Sequence, residues 1–105
     1  MLKKPPPSLH SRVFMVIGPC HLVNEPLLRS IFNLMGSYSL ESVKSYRWGD
    51  GMASMVWSFA SYPDQALPAW NLLLLRKEKA TSGGKLLSGW EKVTLLAMKD
   101  PCDPQ

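Results

Sequence analysis

Large apolar and small side chains alternate most clearly over residues 52–59, where Met55, Trp57 and Phe59 interleave with Ser54, Val56 and Ser58. A period of two sends the sets to opposite faces of a strand, so Met55, Trp57 and Phe59 are predicted to face a core. The second face is then open and available to a partner. Upstream, Arg12 to Ile17 has the β-branched and aromatic content of a central strand, ended by Gly18-Pro19. Between these strands Leu28, Ile31, Phe32 and Met35 recur at i, i+3, i+4 and i+7, predicting an amphipathic helix from about Glu25 to Met35. Asn24 is suited to cap that helix, Pro26 fits its first turn and Gly36 its end. Leu40 to Trp48 followed by Gly49-Asp50-Gly51 predicts a strand and the turn of an antiparallel hairpin.

After Ser61 the pattern becomes helical, beginning either at Tyr62-Pro63-Asp64 or near Pro68, because a proline inside a helix removes an amide donor. Ala69 to Leu75 is apolar nearly all round, and Arg76 to Lys79 returns the helix to solvent. The run Leu72 to Leu75 exceeds one core-facing stripe, so at least one leucine is expected to meet a neighbouring chain or a further element. Ser82-Gly83-Gly84 reads as a loop, Lys85 to Trp90 as a short strand or turn, and Val93 to Lys99 as the last strand. The order β-α-β-β-α-β predicts an α+β, ferredoxin-like fold: a four-stranded antiparallel sheet with both helices on one face.

With 105 residues, 46% of them hydrophobic, there is length for one core and one domain. Met1 to Ser11, with Pro5-Pro6-Pro7 and two lysines, is predicted to be an extended arm, residues 12–99 the domain and residues 100–105 a tail. A net charge of +4 is compatible with nucleic acid or an anionic surface and specifies neither. Cys20 and Cys102 form no CxxC pair, and the longest apolar run is far shorter than the ~20 residues of a membrane span. These features predict a soluble cytosolic or nuclear domain with no disulfide and no membrane span within this chain. His10 and His21 lack partners at ligand spacing apart from Cys20, and the chain has no phosphate loop and no nucleophile elbow. The expectation is a non-enzyme without cofactor or metal.

Val13 to Ile17, the helix Leu28 to Gly36 and the segment Val56 to Ala66 together resemble the RNA recognition motif (RRM) superfamily, over about Arg12 to Lys99. In that family aromatic side chains on the open sheet face stack bases. The resemblance puts Phe14 at the first-strand stacking position, or Met15 after a one-residue register change, while Ser54 and Val56 replace rings on the third strand. Gly84 to Leu87 and Val93 to Asp103 are further similar to the RRM-type domain of the inner-ring nucleoporins, the mitotic phosphoprotein N-terminal domain class. This narrower resemblance implies a homodimer formed through the sheet face, scaffold nucleoporins as partners, and a place at the nuclear pore or in the nucleus.

Two readings of the open face follow. In the first, Phe14, Val16, Ser54 and Val56 form a protein interface for homodimerisation, since a contiguous apolar patch is unusual on a monomer. In the second, Phe14, Tyr46 and Trp48 stack single-stranded RNA with Lys44 and Arg47 on its phosphates. Against the second, Lys44, Arg47, Lys85 and Lys92 read equally as charges that keep strand edges soluble, and Tyr46 and Trp48 as a pair packed across the hairpin.

Overall fold

The computed structural model describes residues 9–61, 63–83 and 87–99. The triple proline, Gly84 to Leu86, Cys102 and the tail named above lie outside these residues. The chain runs β1 (Val13–Pro19), α1 (Glu25–Phe32), β2 (Leu40–Arg47), β3 (Met52–Phe59), α2 (Ala66–Thr81) and β4 (Thr94–Ala97), the predicted order. The strands form one four-stranded sheet in the order β2-β3-β1-β4, with antiparallel pairing throughout, which is the ferredoxin-like arrangement.

Local chemistry sets the element boundaries. Asn24 Oδ1 accepts from Leu27 N–H at 3.0 Å, and its Nδ2 donates to the carbonyls of Cys20 (3.2 Å) and His21 (3.0 Å), so one side chain both caps α1 and ties it to the turn that follows β1. The helix passes into a short 3-10 turn, Asn33–Met35, closed by Gly36 at φ 89°. The hairpin turns through Asp50 (φ 63°) and Gly51 (φ 73°), a pair of positive φ values that matches strand twist. Pro68 is the third residue of α2. Its position resolves the two possible starts, because amides of the first turn have no intrahelical acceptor and the proline forfeits nothing.

Phe14 is the hub of the core. Its ring meets Phe59 at 5.7 Å, Trp70 at 5.6 Å and Phe32 at 6.4 Å, and Phe32 in turn stands edge-on to Trp57 at 4.9 Å. Phe14, Val16, Met55, Trp57 and Phe59 are buried together with Leu28, Ile31 and Phe32 of α1 and Ala66, Ala69, Trp70 and Leu73 of α2. Gly18 continues the inward phase of β1, and a Cβ there would lie 3.0 Å from Val93 Cγ2 and 3.2 Å from Val23 Cγ2. Trp90, within a 3-10 turn, and Val93 complete the core below α2.

One expectation changes. Leu9 and Ser11, read as part of the extended arm, are buried; Leu9 joins the core, and Ser11 Oγ accepts from Val13 N–H at 3.0 Å. The four leucines of α2 divide, with Leu73 in the core, Leu72 packed against it, Leu74 half-buried and Leu75 exposed.

Candidate functional site

Residues opposite one another in an antiparallel pair share a face, so the pairing registers define the open side of the sheet. Three rows cross it. Lys44, Val56, Met15 and Leu96 form the middle row, Tyr46, Ser54, Ile17 and Thr94 the row beside the hairpin turn, and Ser42, Ser58 and Val13 the third. Met98 N–H donates to Val13 O at 3.1 Å and extends that last row. Lys44 is the sole charged residue among the paired positions of these rows.

Phe14 and Val16, expected on this side, face the helices instead. Phe14 pairs with Trp57 and Val16 with Met55, and neither has any exposed surface. The open positions of β1 are therefore Met15 and Ile17. Ser54 and Val56 are on the open side as expected, Val56 half-exposed and Ser54 covered. Trp48 supplies a polar contact to that serine: its Nε1–H donates to Ser54 Oγ at 3.0 Å, which holds the indole on the open side while the ring stays 61% exposed.

Of the proposed RNA contacts, Lys44, Tyr46 and Trp48 share the open side, with Tyr46 48% exposed. Phe14 does not join them, and Arg47 pairs with Ala53, whose side chain is in the core, so its own side chain leaves from the helix side. No ring occupies an open position of the two central strands. Tyr46 and Trp48 lie toward the β2 margin, and the middle row from Val56 to Leu96 is aliphatic.

Arg12, at the start of β1, is buried and anchors the opposite end of the sheet. Its guanidinium donates to Glu41 Oε1 at 2.6 Å and to the Phe59 carbonyl at 3.3 Å. Sequence reasoning missed this residue, because a lone arginine before an apolar run carries no pattern. Arg29 borders a shallow groove with Asn33, Gly36, Ser37, Tyr38 and Leu40. Its guanidinium is already engaged: it donates to Glu25 at 2.7 Å, which raises its pKa, and stands 6.0 Å from the Trp57 ring centroid. Among the described residues no group of three or more His, Cys, Asp or Glu is placed to hold a metal, and no helix is long and apolar enough to cross a membrane.

Compared with models of known protein families and with curated proteins, the sequence matches none.

Proposed function

We propose that the protein is a non-catalytic interaction module that pairs with a second copy of itself through the open sheet face. The supporting observation is the chemistry of the two central strands there: Met15, Ile17 and Val56 present aliphatic surface, Ser54 and Ser58 are small, and none of these positions itself carries a ring, although Trp48 reaches Ser54 from the β2 side. Base stacking on an aromatic ring contributes roughly 1–3 kcal/mol per base, so a face without central rings lacks the usual source of single-strand affinity. Apolar groups with few charges instead suit a surface that closes on another protein.

The size of the face sets the expected strength. Four strands at about 4.8 Å spacing and about six residues of strand length give roughly 400 Å² per copy. A pair would bury roughly 800 Å², below the ~1,200–2,000 Å² of stable complexes, so association should be weak and concentration-dependent. Light scattering coupled to size-exclusion chromatography over a concentration series tests this: the mass should rise toward that of a dimer. Val56→Glu, which sets a charge in the middle row, should hold the protein monomeric. A wild-type chain that stays monomeric at the highest soluble concentration would sink the proposal.

One observation favours a second reading. Tyr46, Trp48 and Lys44 place two exposed rings and a cation at one margin, a small stacking site for single-stranded RNA. Saturable, salt-sensitive oligonucleotide binding that Trp48→Ala removes would favour that reading over self-pairing.

A further inference from the structure

The two edges of the sheet are guarded differently. β2 carries Glu41, Lys44 and Arg47, charges of both signs spread along its length, a pattern that discourages pairing with another strand. β4 at the other edge, Thr94-Leu95-Leu96-Ala97, has no charge, and Leu96 is 46% exposed. Among the described residues no strand pairs along its outer side. The bond from Met98 N–H to Val13 O fixes the phase of the β1 ladder. Thr94 and Leu96, opposite Ile17 and Met15, turn their amides and carbonyls toward β1, and Leu95 and Ala97 turn theirs outward. Within β4, an outer strand can bond only to those two residues.

One antiparallel register lets a second copy use all of these groups. Leu95 then lies opposite the partner's Ala97 and Ala97 opposite the partner's Leu95, with two bonds in each pair. The two-fold axis passes between the copies of Leu96, and the middle rows of the two open faces run end to end. Val56, Met15 and Leu96 continue into the partner's Leu96, the partner's Met15 and the partner's Val56, with a Lys44 at each end. A register centred on Leu95 breaks that apolar stripe by setting Leu96 opposite the partner's Thr94. The flanking segments Glu91-Lys92 and Lys99-Asp100 each carry one acid and one base, so the antiparallel ends meet without an excess of like charge. Area selects a copy over a foreign strand. The face-to-face pair described above buries roughly 800 Å², less than a stable complex needs, whereas copies joined at β4 double each face and two doubled faces bury roughly 1,600 Å². A foreign strand brings no second open face.

We propose that two copies pair antiparallel along the outer edge of β4 about Leu96, and that the resulting eight-stranded sheets close face to face as a tetramer. The inference rests on the self-pairing reading above and names how that contact is enlarged. The edge alone does not hold two chains, because its bonds replace bonds to water and leave little to offset the entropy of association. The single face is also weak. Two kinds of two-fold contact in one closed assembly strengthen each other, since each becomes intramolecular once the other has formed.

Light scattering over the concentration series should show the mass passing through that of a dimer and reaching that of a tetramer at the highest concentrations. Ala97→Pro removes an outward amide without touching the β1 ladder, and should stop the series at the dimer with unchanged circular dichroism. Val56→Glu should leave the monomer. Cysteine linking tests the register and stands even if the proline variant misfolds. In a Cys20→Ser, Cys102→Ser background, Leu96→Cys sets two thiols across the axis with Cα atoms about 4.5 Å apart, inside the ~4.4–6.8 Å that a disulfide spans. The two copies of Thr94 are separated by roughly 13 Å along the strand. Oxidised glutathione should therefore link Leu96→Cys faster than Thr94→Cys by roughly tenfold or more. A wild type that stops at the dimer, a folded Ala97→Pro protein that reaches the tetramer, or equal linking at the two positions would overturn the proposal and leave face pairing standing. A dimer abolished by Ala97→Pro and untouched by Val56→Glu would uphold the edge pair while overturning the face reading and the tetramer with it. A wild type monomeric throughout would overturn both.

Discussion

The side to which Phe14 points decides which surface of the sheet is open, and Phe14→Ala tests it. Phe14 has no exposed surface and contacts the rings of Phe59, Trp70 and Phe32. Truncating a fully buried phenylalanine removes its transfer free energy and leaves a cavity, which together cost about 3–5 kcal/mol. Three ring partners on three different elements make collapse around the vacancy difficult, so the upper part of that range is expected. Against a total stability of about 5–15 kcal/mol for a small domain, the variant would be close to unfolding. The comparison is with Met15→Ala, one residue along and half-exposed on the other side, whose cost should stay below about 1.5 kcal/mol because it opens no cavity. Urea denaturation followed by tryptophan fluorescence gives both values with the slope checked for constancy. Equal costs, or a larger cost at Met15, would refute the register of β1 and with it the composition of the open face.

Two further outcomes follow from named contacts. Asn24→Ala removes the cap of α1 and the tether to the Cys20 and His21 carbonyls, and should cost about 1–2 kcal/mol in the same urea assay. At Glu91 the carboxyl is held below its ordinary range by its own backbone N–H and that of Gly89, with Lys92 and Lys77 adding smaller contributions. A carboxyl with a folded pKa below its unfolded value stabilises the fold above the unfolded value, and this is lost as pH falls through the folded one. The Gly89 amide resonance should therefore move with an acid-side midpoint below the usual ~4.3 of a glutamate, and Glu91→Gln should abolish that movement.

How legible each part was depends on whether the sequence breaks symmetry there. On β3 the serines Ser54 and Ser58 interrupt the large residues, and the inward face follows directly from the alternation. On β1, Val13 to Ile17 is apolar at every position, so a period of two cannot choose between Phe14 and Met15. The deciding signal was Gly18: a glycine where Val23 and Val93 crowd the backbone belongs to the inward phase, and it carries Phe14 and Val16 with it. Burial of Leu9 and Trp90 was invisible for another reason. Each stands outside a periodic run and is brought to the core by the path of a loop, which no local pattern encodes. The hairpin and the cap at Asn24 were legible because turn and cap geometries demand particular residue types within a few positions.

The placement of the tryptophans has an optical consequence. Trp57, Trp70 and Trp90 are sealed in, whereas Trp48 lies on the open side of the sheet with its edge pinned to Ser54 and its ring in water. Emission at the red end of the spectrum, and quenching by iodide, therefore come from one indole beside the surface in question. Whatever settles on that side, a protein or a nucleotide chain, must dim or blue-shift that single component, so occupancy can be followed without attaching any dye.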